Sequence, residues 1–242
     1  ESGSLFEATL PLTDADIRAF EIFFDSLICP PGIETTLKVQ NRTVTLNSRT
    51  PVSTLELSLP TVIADAEGNL KRSRRTTTVE LHEPTADEVP HIYELGIPVV
   101  EIEDRWHVNV QQKVPLNADR DNVTPAYLAE LRVAVLNEAA HLLDTEDFSE
   151  SWVTEASSDE RCTDAVTERV MTARFGEKRV AYDPSNPEAN RVAAANGHTV
   201  ITGGTLTGGQ WRNAKAASAI TAAGQKFPTS YDAYSNDPNA PE

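Results

Sequence analysis

The chain has 242 residues, enough for one large hydrophobic core or two small ones, and its 39% hydrophobic and 24% charged residues exclude a disordered or membrane-embedded class. Its 21 Lys and Arg against 37 Asp and Glu give a formal charge of -16 and a pI near 4.7, which disfavours a nonspecific grip on nucleic-acid backbone. The two cysteines, Cys29 and Cys162, have no Cys-x-x-Cys or Cys/His spacing, which argues against structural zinc or a disulfide framework and fits buried thiols in a reducing, cytoplasmic setting.

In chain order, residues 5–12 alternate loosely and predict a strand. Ile17, Phe20, Phe23, Phe24 and Leu27 recur at helical spacing behind Thr13, an expected N-cap with Asp14 and Asp16 in the first turn, and the Pro30-Pro31-Gly32 cluster stops that helix. From Ile33 to Glu83 the pattern changes to period two (TTLKVQ, RTVTLN, TLELSLPTVI, TTTVELHE), interrupted at Asn41-Arg42, Asn47-Ser48 and Asp65 to Asn69, which predicts a run of antiparallel strands. The basic run Lys71 to Arg75 reads as a solvated hairpin turn or a local anion contact. Ile92 to Leu95 reads as a short helical turn before Gly96, followed by strands IPVVEI and WHVNVQQ and a polar loop at Asn117 to Asn122.

Thr124-Pro125 opens the clearest helix, whose apolar face from Tyr127 to Leu143 is expected to pack on the sheet. The acidic, serine-rich stretch after it reads as a linker. Beyond lie helix 163–175, strand 179–182, helix 187–196, strand 199–202, a glycine-rich turn and helix 210–223, the alternation of a small parallel α/β unit with Gly176 and Gly197 as C-caps. The expectation is thus an α+β protein: a mostly antiparallel sheet packed on helices over 1–147, an acidic linker 148–160, a small α/β module 161–224 and a flexible tail 225–242. The Glu-Ser-Gly-Ser start, with Met171 the only methionine, suggests a piece of something longer.

The stretch VNVQQKVPLNADRDNV, residues 108–123, carries a resemblance. Strand, Gln111-Gln112-Lys113, polar loop and long helix together resemble the transducer domain that follows the ATP-binding domain in GHKL-type ATPases, the class of DNA gyrase, the mismatch-repair ATPase and a heat-shock chaperone. The likeness extends over roughly 5–147, and its specific part is about 35 residues. It implies that Lys113 senses the γ-phosphate, with Gln111 and Gln112 as its nearest helpers. The family's Glu-x-x-x-Asn and Asp-x-Gly-x-Gly motifs do not occur here, so the resemblance implies ATP and magnesium held by an N-terminal ATP-binding domain of the same protein. It also allows for a homodimer, since ATPases of this type often close as dimers. Read from its residue type alone, Lys113 is either such a phosphate contact or a solvated loop lysine.

Other residues leave two readings open. Asn117, Asp119, Arg120, Asp121 and Asn122 either cap the next helix or support the lysine. Asn137-Glu138-Ala139-Ala140-His141 approaches the helical zinc motif, but asparagine replaces the first ligand and no metal is expected. His82, His91, His107 and His198 read as sheet, strand-edge or loop residues. Gly203, Gly204, Gly208 and Gly209 precede a helix as an anion-binding turn would, or form a tight structural turn. Two alternatives to the ATPase reading follow: a non-catalytic interaction module with an acidic surface, and a phosphate- or nucleotide-binding module at 199–212.

Overall fold

The computed structural model describes residues 7–30, 32–39, 41–65, 67–117 and 122–228. The chain is α+β, with a mostly antiparallel five-stranded sheet and a small parallel pair of strands among helices. It divides into two compact units. One comprises the described residues up to Glu56, Thr61–Ile102 and Trp106–Val114; the other comprises Leu57–Pro60, Glu103–Arg105 and the described residues from Pro115 onward.

The first unit begins with helix α1 (Asp14–Ser26), whose start is fixed by a capping box. Thr13 Oγ1 accepts the Asp16 amide, and the Asp16 carboxylate accepts the Thr13 amide at 2.8 Å. A hairpin of β1 (Thr36–Val39) and β2 (Arg42–Thr45) follows. The main sheet is ordered β3-β4-β7-β5-β6, from β3 (Ser53–Ala64), β4 (Leu70–His82), β5 (His91–Glu94), β6 (Ile97–Glu101) and β7 (His107–Val110). Strands β5 and β7 are parallel, whereas β4–β7 and β5–β6 are antiparallel.

Alternation gives this sheet two unlike faces. Val79 pairs with Val110 and Leu81 with Val108, and all four are buried apolar residues. The intervening pairs, Glu80 with Asn109 and His82 with His107, point the other way and are polar, yet His82, His107 and Asn109 are as buried as the valines. For His107 and Asn109, hydrogen bonds replace the water lost on burial.

The second unit holds α2 (Pro125–Ala139), α3 (Ser151–Ser158), α4 (Asp164–Phe175), β8 (Arg179–Ala181), α5 (Pro187–Ala195), β9 (Thr199–Ile201), α6 (Gly208–Ala216) and α7 (Ala223–Lys226). Strands β8 and β9 run parallel, and a further parallel bridge joins Ala181 to Ala222. Val180 packs with Ala189, Ala193 and Ala223 on one face, while Ile201 packs with Met171, Leu206 and Ala214 on the other. Helices therefore cover both faces of the strands. Gly176 ends α4 at φ 78°, and Gly197 follows α5 at φ 76°, both in the region glycine reaches without strain.

Several expectations need correction. The described part of 5–12 contains no strand; Leu10 and Leu12 are exposed. Residues 92–95 belong to strand β5 and its turn, and Lys71 to Arg75 lie within β4; the hairpin turn is Asp65 to Asn69, where the Asp65 carboxylate accepts the Asn69 amide at 2.7 Å. Residues 148–160, expected as an acidic linker, contain α3, with Trp152, Val153, Ala156 and Ser157 all buried. The division between units falls after Val114, not at 147, so α2 belongs to the second unit. Pro31, Asp119, Arg120, Asp121 and the tail from 229 lie outside the described residues.

Candidate functional site

Strand β7 ends at Val110, and the next four residues carry the predicted sensor loop. The loop backbone is held at three points. The Gln111 amide donates to the Thr78 carbonyl at 3.0 Å, extending the ladder to β4. The Thr61 hydroxyl donates to the Lys113 carbonyl at 2.7 Å, and the Val114 amide donates to Glu94 Oε2 at 2.7 Å. The Lys113 side chain is exposed, as is Gln111, whose amide donates to Glu80 Oε2 at 3.0 Å; Gln112 is half-buried. An exposed lysine thus stands on a hydrogen-bonded backbone. One residue beyond Val114 the chain enters the second unit, where Asn117 and Asn122 close a loop through their backbones at 2.8 Å and Thr124 caps α2.

Beneath Gln111 lies a buried polar cluster. Asn109 is 1% exposed; its Nδ2 donates to Glu80 Oε2 at 2.7 Å, and its Oδ1 accepts the Gly96 amide at 2.9 Å. Gly96, at φ 84°, brings its backbone so close to Ile28 that a Cβ would lie 2.1 Å from the Ile28 carbonyl oxygen, and its own carbonyl accepts the Ile28 amide at 2.9 Å. Only glycine fits that contact. A chain of hydrogen bonds therefore runs from Gln111 through Glu80 and Asn109 to the residues after α1.

A second group adjoins it. Arg49 grips Glu88 with both terminal nitrogens, one at 2.8 Å. Glu88 also receives the Thr85 amide at 2.9 Å and stands 3.3 Å from His107 Nε2. Because His107 Nδ1 accepts the His91 amide at 3.1 Å, the ring proton sits on Nε2 and points to Glu88. The Arg49 guanidinium holds the Glu88 carboxyl far below the usual carboxylate range, and burial keeps His107 neutral by lowering its pKa. Burial likewise lowers His82, whose Nε2 stands 3.6 Å from Glu80 Oε2, beyond hydrogen-bond distance, and pushes the Tyr93 phenol up to about 12. The Tyr93 and His107 rings meet edge to face at 5.3 Å. This cluster went unread in the sequence, where its one trace is parity: Glu80-x-His82 and His107-x-Asn109 repeat polar residues two apart within apolar strands.

The glycines of the second unit have separate jobs. Thr207 Oγ1 accepts the Gln210 amide while Gln210 Oε1 accepts the Thr207 amide, so a capping box satisfies donors at the start of α6. Gly209 lies against α3, where a Cβ would stand 2.1 Å from the Ser158 carbonyl oxygen. Gly203, Gly204 and Gly208 have open space where a Cβ would go and no left-handed φ. Asn137 bridges backbone groups, donating to the Arg161 carbonyl and accepting the Thr163 amide, both at 2.9 Å. Among the described residues no three His, Cys, Asp or Glu side chains gather as a metal would require, and no helix is long and apolar enough to cross a membrane.

Compared with protein-family models, curated proteins and solved structures, the chain matches none.

Proposed function

We propose that this chain is the transducer part of a GHKL-type ATPase, in which Lys113 meets the γ-phosphate of Mg-ATP held by an N-terminal ATP-binding domain of the same protein. The observation that carries the reading is the combination at residues 111–114: an exposed ammonium on a loop whose backbone is tied to Thr78, Thr61 and Glu94. A flexible four-carbon stem supplies reach, and the fixed base reduces what must be ordered when a phosphate arrives. At about 4 Å and an effective dielectric near 20, one unit charge attracts another by roughly 4 kcal/mol, ample to favour a closed state. Gln111 and Gln112 flank the lysine as helpers, Gln111 restrained by Glu80.

The test is ATP turnover by the protein that carries this chain. Lys113→Ala is expected to slow turnover by about 10²-fold, the cost of removing one charged donor from a transferring phosphoryl group. The side chain is exposed, so the denaturation midpoint should not move. Unchanged turnover together with an unchanged nucleotide-dependent scattering profile would refute the sensor role.

A further inference from the structure

The alternation β8-α5-β9-α6 places a cleft of about 350 Å³ at the C-terminal ends of its two parallel strands, lined by Ala181, Tyr182, Ile201, Gly203, Trp211 and Lys215. Open parallel sheets bind ligands at that edge, and the volume lies at the lower end of the ~300–1,000 Å³ typical of small-molecule sites. We propose that this cleft binds a nucleoside phosphate, with the base against Tyr182 and Trp211 and the phosphate at Lys215.

Four observations support it. Tyr182 is 46% exposed, a large aromatic surface left open at the end of a strand. Trp211 is pinned at the cleft, its Nε1 donating to the Gly203 carbonyl at 3.0 Å, so its ring is already ordered before a ligand arrives. The exposed Lys215 ammonium lies 5.9 Å from the Trp211 ring centroid, which sets a cation beside a stacking surface. Finally, residues 177–228 hold six Lys and Arg against three Asp and Glu, in a chain where acids otherwise dominate. The chain's excess of acids therefore lies outside the span that forms the cleft, where Lys215 is the one charged residue of the lining.

The glycines bear on the same cleft. Gly209 is required by packing against Ser158, but Gly203 and Gly204 are required by neither packing nor backbone conformation. Gly203 lines the cleft, where the missing side chain leaves room for a ligand to approach the backbone. The site lies wholly within the second unit and does not depend on the sensor role of Lys113.

The test is titration of the 242-residue chain with AMP, adenosine and inorganic phosphate, followed by tryptophan fluorescence. Trp106 and Trp152 are buried, so Trp211 is the ring a ligand can quench. AMP should quench saturably and adenosine more weakly. Lys215→Ala should weaken AMP on the order of 10-fold and leave adenosine unchanged. Tyr182→Ala should weaken both by a similar factor, on the order of 10-fold. Lys38→Ala, which removes an exposed lysine from β1, should change neither. No saturable quenching by AMP or adenosine would overturn the proposal, as would equal competition by phosphate alone, which would mark an adventitious ion only. Calorimetry on the same variants checks that altered quenching reflects altered affinity. Because Lys113 is tested through ATP turnover, either reading can fail while the other stands.

Discussion

Replacing Asn109 with alanine tests the buried polar face directly. The side chain is 1% exposed and joins two groups: the Glu80 carboxylate, to which it donates at 2.7 Å, and the buried Gly96 amide, from which it accepts at 2.9 Å. Alanine removes a hydrogen bond to a charged group, worth about 1.5–3 kcal/mol, and strands the Gly96 N–H, which costs about 1–3 kcal/mol. The two terms share a site and are not additive, so the expected destabilisation is about 3 kcal/mol. Gln111→Ala removes only an exposed contact to the same carboxylate and should cost below about 1 kcal/mol. Residue-resolved amide exchange is the suitable assay, because two compact units can unfold separately and bulk probes would mix them. The Gly96 amide should lose protection, and β5 and β7 should open more readily. An Asn109→Ala protein within about 1 kcal/mol of the parent, with Gly96 still protected, would refute the claim that this amide holds the face together.

Two further outcomes follow from the charges and the glycines. His82 and His107 are held below their ordinary 6.5 in the folded state, so the unfolded chain binds more protons in that range. First-unit stability should therefore be full above pH 6.5 and decline as pH falls through it, by at most about 1.4 kcal/mol per pH unit per histidine. Glu88 extends the loss below its ordinary 4.5, and urea denaturation of Glu88→Gln against pH should lack that lower limb; an unaltered acid limb would count against the Arg49 pairing. In the second unit, Gly209→Ala should cost about 2–3 kcal/mol, since the intruding methyl meets Ser158 backbone, while Gly204→Ala should be neutral or stabilising by up to about 1 kcal/mol. Equal thermal midpoints for the two variants would contradict the packing assigned to Gly209.

What the sequence made legible was local. Thr13 with Asp16, Thr124 before Pro125, and Gly176 after Phe175 each specify a helix end within four residues, and each end stands where expected. The β8-α5-β9 alternation was readable for the same reason. Short or mixed segments were not: β5 has four residues, too few to separate a period of two from 3.6, and Leu95 at φ 53° before Gly96 at φ 84° mimics a helix ending. Helix α3 was hidden by its serines and acids, because an eight-residue helix buries its face with only Trp152, Val153, Ala156 and Ser157. The polar cluster leaves only the parity of Glu80-x-His82 and His107-x-Asn109 in the sequence, not its partners. Arg49 and Glu88 stand 39 positions apart, and which strand lies beside which is settled by pairing across the sheet, which no window of sequence contains.

The anchors of the loop at residues 111–114 also determine what the proposed phosphate contact at Lys113 could achieve. A ligand biases a conformational equilibrium only through contacts that differ between states, and a lysine on a slack loop would follow the phosphate without moving anything else. Here the Lys113 carbonyl is tied to Thr61 on β3 and the Val114 amide to Glu94 on β5, strands at separate positions in the sheet order. A pull on Lys113 must either break those bonds, at roughly 1–3 kcal/mol each for the neutral and the charged one, or carry the strand ends with it. The hydrogen bonds from Gln111 through Glu80 and Asn109 to Gly96 extend the same constraint toward Ile28. On the proposed reading, the rigidity around Lys113 is therefore what turns a single ammonium–phosphate contact into a displacement of the sheet.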